Sequence, residues 1–190
     1  MSETLILTGV IALPLLGALL ATVWTQQARR IGIVATLGMA LSAAWLLIRV
    51  QQHGPQLLEV GGWQAGLGIT LYADGLAALL VLMSSLVMFG SSVYALKYFG
   101  SAQQHAAFWP LWLLLVLGLG ALFLAGDLFD IYVDLELLGI SAAALAALGG
   151  KRAGLESALR YLVVGLLGSM LYLGGIGLLY AAYGTLNVQA

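Results

Sequence analysis

The chain has 190 residues, of which 62% are hydrophobic and only 8% are charged, and its mean hydropathy is +1.04. A soluble domain carries about 25% charged residues, so this composition indicates a protein whose solvent is lipid. The chain contains no cysteine, which excludes a disulfide framework and a thiol-ligated metal site. The net charge of −1 does not indicate a class of partner, and no run of basic residues suggests a nucleic-acid partner.

Apolar segments long enough to cross the roughly 30 Å hydrocarbon core of a bilayer occur along the whole chain. They predict about six transmembrane helices, at about 4–23, 31–49, 70–96, 108–125, 127–148 and 155–183. The residues before the first segment lack the basic region of a signal peptide, so we interpret this segment as a retained helix. The sequence therefore predicts an all-α, polytopic membrane protein with a single membrane domain over residues 1–190.

The connections between these segments differ in length and composition. Residues 51–69 form the one long connection, and the alternation around Leu57–Val60 permits a short strand or hairpin. The fourth segment begins with Phe108-Trp109-Pro110-Leu111-Trp112, which predicts an aromatic belt at the membrane interface. Only Ala125-Gly126 separates the fourth and fifth segments, so we expect these two helices to form a tight hairpin.

Basic residues are concentrated on one predicted side of the membrane. That side carries Arg29, Arg30, Lys97, Lys151 and Arg152, whereas the opposite side carries Arg49. The positive-inside rule then predicts that both termini lie outside. We expect the chain to be an integral protein of a bacterial inner (cytoplasmic) membrane.

The fifth segment contains half of the acidic residues of the chain, namely Asp127, Asp130, Asp134 and Glu136. An acid near the centre of a membrane costs about 2.5 kcal/mol or more, and such residues usually mark an ion or proton path. At ~100° per residue the three aspartates lie on one stripe, and Glu136 lies about 180° from Asp127. At ~1.5 Å per residue Glu136 lies about 14 Å from Asp127, near the middle of the membrane. Glu136 is therefore the candidate proton-relay residue.

The other polar residues of this region have two interpretations each. Asp127 follows a glycine at a helix start, which favours a helix cap over a functional role. Asp130 and Asp134 either line an aqueous half-channel from the outside or contact a polar partner subunit. Arg160 either extends its side chain to the inner interface or acts as a partner in the proton path.

The sixth segment is rich in small residues. Gly165 and Ser169 form a small-xxx-small pair, which predicts that this helix packs closely on a neighbouring helix.

Several motifs of the chain together resemble one known family of membrane proteins. They are Gly61-Gly62-Trp63 with Gly68-Ile69 and Asp74-Gly75-Leu76, Gly126 to Val133 with Glu136, Ala158 to Leu162, and Tyr180 to Asn187. This set resembles the N-terminal part of the proton-translocating antiporter-like subunits. That family includes the D-type subunit of multisubunit Na⁺/H⁺ antiporters, the N-type subunit of respiratory complex I and related subunits of membrane-bound hydrogenases.

The resemblance implies an ion-translocating subunit, or half-subunit, that moves protons or Na⁺ with Glu136 as its central protonatable site. Family members carry further helices after the sixth, and a buried lysine of the seventh pairs with the glutamate. We therefore expect partner membrane subunits, at least one of which supplies later helices and buried lysines, in contact with lipid. The alternative is a scaffold or assembly subunit of the same family that translocates nothing.

The sequence shows no cofactor signature. It has no cysteine cluster, no paired transmembrane histidines and no nucleotide-binding loop, so we expect no cofactor of its own. Catalytic chemistry would then belong to other subunits, for example those of a quinone- or hydrogenase-linked oxidoreductase. The sequence leaves open whether a redox reaction or an ion gradient drives transport.

Overall fold

A computed structural model describes residues 2–59, 69–98, 102–150 and 152–188. Its α-helices and strands, in chain order, are α1 (Ser2–Val23), α2 (Ala28–His53), β1 (Gln56–Glu59), β2 (Thr70–Ala73), α3 (Gly75–Tyr98), α4 (Ala102–Leu124), α5 (Leu128–Ala147) and α6 (Arg152–Tyr183), with a short 3-10 helix (Thr25–Gln27) between α1 and α2. The predicted all-α membrane fold is confirmed, with one short hairpin added. Gly61-Gly62-Trp63 of the family resemblance and Lys151 of the charge pattern lie outside the described residues.

Within the described residues, four helices are long and apolar enough to cross a membrane: α2, α3, α4 and α6. The described apolar part of α1, Leu7–Val23, is shorter. Helix α5 has 20 residues, which is a sufficient length, but Asp130, Asp134 and Glu136 interrupt its apolar sequence. It is therefore the helix that departs furthest from the composition of a plain membrane anchor.

Helices α1 to α4 pack on one another and form the core of the molecule. The buried side chains of this core include Leu7, Val10, Met39, Leu46, Val81, Val116 and Leu124. Helix α5 packs against α4, and α6 packs chiefly against α5. Helix α5 therefore lies between the four-helix core and α6.

The predicted third helix begins later than expected. Residues Thr70–Ala73 form strand β2, which pairs antiparallel with β1 from Gln56 opposite Ala73 to Glu59 opposite Thr70. The prediction of a helix from residue 70 was wrong because Asp74 caps a helix that begins at Gly75. Its Oδ1 accepts the N–H of Ala77 at 2.7 Å, which satisfies one of the free donors of the first turn. The strand permitted by the alternation around Leu57 is present as β1.

The hairpin end of the molecule is held together by backbone hydrogen bonds between distant parts of the chain. The N–H of Gly126 donates to the Thr70 carbonyl at 2.8 Å, and the N–H of Leu128 donates to the Leu186 carbonyl at 3.0 Å. A side chain at position 126 would begin 3.0 Å from the Thr70 oxygen, so glycine permits this close approach. Strand β2, the start of α5 and the segment after α6 therefore meet at one end, which we call the hairpin end.

Trp109 does not belong to an interfacial aromatic belt, contrary to the prediction. Its side chain is fully buried, and it packs where Gly32 of α2 leaves room for the indole ring. Trp112 is partly buried, and its Nε1 donates to Ser92 Oγ at 2.8 Å. The sequence pattern failed here because it could not show that α2 presents a glycine opposite Trp109.

Candidate functional site

The start of α5 is fixed by Asp127. Its backbone is extended, and its Oδ1 accepts the N–H of Phe129 at 2.7 Å. The side chain is only 6% exposed. The interpretation of Asp127 as a helix cap agrees with this geometry, because the carboxylate satisfies a donor that the helix cannot.

Replacing this cap tests whether the acceptor or the charge matters. We expect Asp127→Ala to lower the stability of the protein by about 1 kcal/mol, because a free N–H of the first turn then loses its partner. This corresponds to a fall of roughly 3 °C in the unfolding midpoint. Asp127→Asn keeps an acceptor oxygen and should change the midpoint much less. Thermal unfolding in detergent measures both, and an equal loss in the two variants would contradict a capping role.

Glu136 lies on the side of α5 that faces α6. It lines a cavity of about 330 Å³ between these helices, together with Tyr132, Tyr161, Ser169 and Tyr172. Counted from Leu128 at ~1.5 Å per residue, Glu136 lies about 12 Å into a helix of about 30 Å. Within the described residues the structure gives Glu136 no hydrogen bond and no ion pair. The cavity is therefore lined by one acidic side chain and four hydroxyl-bearing side chains among apolar residues and glycines.

The glycines of α6 give this cavity its width. Gly165 and Gly168 line it, and a Cβ added at either would meet no atom within 4 Å. Most of α6 is exposed, with Ala158 and Ile176 as its buried residues. The predicted close packing of the small residues on a neighbouring helix is therefore not satisfied by the described part of this chain.

Arg160 is not brought to Glu136. It is exposed near the start of α6 and is not among the residues that line the cavity. The ion pair found within the described residues joins Arg152 to Glu156 at 3.0 Å, one helical turn apart on the surface of α6. The arrangement thus gives Glu136 no cation from this part of the chain.

Asp130 and Asp134 lie on a different side of α5 from Glu136. Both line a second cavity, of about 190 Å³, whose other walls come from α1, α4 and β2. Asp130 Oδ2 accepts the N–H of Thr70 at 3.2 Å. The acids of α5 therefore divide between two cavities, as the helical angles of the sequence predict. Further along the same helix, Ser141 is 1% exposed, and its Oγ has no partner among the described residues.

The tyrosines around Glu136 were not selected from the sequence. Tyr132 lies four residues before Glu136, a spacing that places two side chains on one helix face and could have identified it. Tyr161 and Tyr172 are contributed by α6, and no local spacing relates them to Glu136. In the described part of the chain, no three His, Asp or Glu side chains lie close enough together to hold a metal ion.

The comparison with known proteins agrees with this architecture. Residues 125–190 match the family described as NADH:quinone oxidoreductase/Mrp antiporter, TM. The chain is 36% identical over 181 residues to the D-type subunit of the Na⁺/H⁺ antiporter of Bacillus subtilis, with 94% of this chain and 37% of that protein covered.

Solved structures show the same relationship. A chain of the membrane-bound sulfane sulfur reductase, an archaeal respiratory membrane complex, is 34% identical with a TM-score of 0.84, over 94% of this chain and 37% of the other. A chain of the Mrp complex from Dietzia sp. has a TM-score of 0.86 at 24% identity, over 98% of this chain and 36% of the other, which shows a common fold.

The chain thus spans little more than a third of the length of these relatives, a coverage that fits their N-terminal part. The matched region begins at Ala125 and includes the whole of α5 and α6, which form the Glu136 cavity. The chain therefore belongs to the antiporter-like membrane subunit family of NADH:quinone oxidoreductases and Mrp antiporters.

Proposed function

We propose that this chain is an ion-translocating subunit, or half-subunit, of a multisubunit antiporter or complex I-like assembly, with Glu136 as its central protonatable site. The ion is a proton or Na⁺. The observation that carries the proposal is the position of Glu136, partly buried in a cavity about 12 Å into α5, with no partner among the described residues.

A proton relay must exist in both the protonated and the charged form. Burying charge in a medium of low dielectric is costly unless a cation or hydrogen bonds compensate it. When a cation approaches, the charged form becomes favourable and the proton is released. A group that changes between these states within the membrane can pass a proton from one side to the other.

The cation would come from another membrane subunit. Glu136 has no basic neighbour in the described part of the chain, and Arg160 lies away from its cavity. Most of α6 is exposed, so a partner subunit can pack against this helix beside the cavity. The resemblance to the antiporter-like subunits implies that this partner has a helix with a buried lysine, which would pair with Glu136.

Asp134, Asp130 and Arg160 are proposed as further members of the proton path. The two aspartates lie towards the hairpin end of α5, and Arg160 lies towards the opposite end of α6. This distribution supports a path that approaches Glu136 from both sides of the membrane.

The test is gradient formation by vesicles that carry the intact assembly with Glu136→Gln. Loss of translocation with normal assembly supports the proposal. Unchanged translocation would make Glu136 a packing residue and would favour the scaffold alternative.

The orientation of the chain is a separate prediction. The start of α1 and the end of α6 lie on the same side of the molecule as the hairpin end. Arg29, Arg30, Lys97 and Arg152 lie on the opposite side. By the positive-inside rule we propose that the hairpin end faces outward across the inner membrane of a bacterium. Both termini would then lie outside.

Cysteine labelling measures this orientation. Gln52→Cys lies at the hairpin end and Gln26→Cys at the opposite end, and both positions are exposed. The reagent is a membrane-impermeant thiol reagent, added to cells whose outer membrane has been permeabilised and whose inner membrane is intact. We expect it to modify Gln52→Cys. Gln26→Cys should react only after the membrane is opened. The reverse pattern would contradict the orientation.

A further inference from the structure

A separate cavity lies at the end of the molecule opposite the hairpin end, which we call the basic end. Because α3 and α5 both pack against α4, the α4 side chains Phe108 and Trp112 form its floor. Its walls come from the end of α3 and from the end of α5 with the two residues that follow, namely Tyr98, Leu145, Ala146, Leu148 and Gly149. Its volume is about 590 Å³, and none of the acids of α5 lines it. We call this cavity the basic-end groove.

The floor of the basic-end groove is aromatic and held in place. The rings of Phe108 and Trp112 are stacked, with centroids 5.6 Å apart and an interplanar angle of 16°. The Nε1 of Trp112 donates to Ser92 Oγ at 2.8 Å, which attaches the indole to α3. The floor is therefore an apolar surface that is already ordered, and an ordered surface loses little conformational entropy when it binds a ligand.

The groove extends from the end of the membrane-spanning segments into their apolar part. Counted from Ala106, where the described apolar span of α4 begins, Phe108 lies about 3 Å and Trp112 about 9 Å along the helix. Tyr98 is the last residue of the apolar span of α3. An occupant of the groove must therefore be apolar where it meets the floor and polar at the mouth.

The mouth of the groove lies between two exposed cations. Lys97 precedes Tyr98 at the end of α3, and Arg152 begins α6 three residues after Gly149. Within the described residues, Lys97 has no ion pair, and Arg152 pairs through its Nε with Glu156 at 3.0 Å. Glu156 is the described acid at this end, whereas the described cations are Arg29, Arg30, Lys97, Arg152 and Arg160. The basic end therefore carries a positive charge that attracts anionic head groups.

We propose that the basic-end groove binds one anionic phospholipid. An acyl chain lies against Phe108 and Trp112, and the phosphate of the head group lies at the level of Lys97 and Arg152. Long basic side chains reach this level while their apolar stems stay beside the helices. A neutral phospholipid satisfies the apolar floor but adds no net negative charge to balance the cations. The inference does not rest on ion translocation by this chain.

Photolabelling of the intact assembly tests this site. Phosphatidylglycerol and phosphatidylcholine, each with a diazirine in an acyl chain, are added separately to vesicles of neutral lipid that carry the assembly. Mass spectrometry then locates the lipid adducts on this chain. Adducts around Val87 provide the internal reference for bulk lipid, because Val87 lies midway along α3 on its outer surface and is 66% exposed.

We expect the ratio of groove adduct to reference adduct to be about fivefold or more higher for phosphatidylglycerol than for phosphatidylcholine. This factor corresponds to the attraction of an anionic lipid by a single Lys or Arg near the surface. Lys97→Gln should reduce the preference about fivefold. Arg49→Gln is the matched control, because Arg49 lies at the hairpin end, and it should leave the preference unchanged.

A second pair of variants tests the groove itself. Ala146 is exposed and lines the groove, so Ala146→Phe places a ring in it without overpacking the core. We expect this variant to lower the groove adduct of both lipids and to leave the reference adduct unchanged. Ala153→Phe is the matched control, because Ala153 is exposed on α6 and does not line the groove.

Three outcomes would overturn the inference. Equal ratios for the two lipids would mean that the groove meets bulk lipid without selecting a head group. A preference that survives Lys97→Gln would mean that this cation does not recognise the lipid. Absence of adducts from the groove, with normal adducts around Val87, would mean that another segment or subunit of the assembly covers it. Labelling requires no transport, so its failure is separable from a failure of Glu136→Gln to abolish translocation.

Discussion

Vesicles carrying the assembly with Glu136→Gln are expected to lose most of their ion translocation. Glutamine keeps the shape of the side chain and can form hydrogen bonds with nearby hydroxyls such as that of Tyr132, but it cannot bind and release a proton near neutral pH. Proton transfer by a positioned group contributes roughly 100-fold or more to a rate, so a loss of about this size is expected. The measurement is the initial rate of gradient formation in sealed vesicles, with the amount of each subunit measured in the same preparation.

Glu156→Gln is the matched control for this experiment. Glu156 is exposed on α6, where it pairs with Arg152 at 3.0 Å, and an exposed pair of this kind contributes little to stability. The same chemical change there should leave both assembly and translocation intact. A Glu136→Gln assembly that pumps at the rate of the Glu156→Gln control would show that Glu136 serves packing alone. A reduced amount of the other subunits in the Glu136→Gln preparation would instead indicate a structural role.

A second large effect is expected at Gly32, where α2 meets Trp109. A Cβ at this position would overlap the indole of Trp109, and that ring is fully buried, so it cannot move into solvent. Overpacking a well-packed core costs typically about 1–3 kcal/mol. An alanine in a helix recovers up to about 1 kcal/mol relative to glycine. We therefore expect Gly32→Ala to lower the stability of the protein by about 1–2 kcal/mol.

Gly90→Ala provides the comparison that isolates packing from helix propensity. Gly90 also lies within a helix, α3, but a Cβ there would meet no atom within 4 Å. The same substitution should therefore leave stability unchanged or raise it by up to about 1 kcal/mol. Thermal unfolding followed by tryptophan fluorescence measures both variants. Equal shifts of the unfolding midpoint in the two variants would contradict the packing of Trp109 against Gly32.

The sequence by itself determined the class of the protein and the relative angles of the acids on α5. A composition with so few charges requires lipid as solvent, and apolar segments of sufficient length predict helices because backbone groups within lipid must pair internally. Helical periodicity then separates Glu136 from Asp130 and Asp134, because residues of one helix keep fixed angles whatever surrounds them. The two cavities follow that division.

Only the tertiary structure decided which neighbours each face of α5 meets. Glu136 faces the tyrosines of α6, whereas Asp130 meets the backbone of β2, which is 60 positions away in sequence. Trp109 is buried because α2 has a glycine, Gly32, opposite it. The sequence around Trp109 contains no signal of that contact. Strand β2 forms where a helix was predicted because β1 supplies its hydrogen-bond partners. Local sequence fixes the period of a helix, but contacts between segments depend on how distant surfaces fit together.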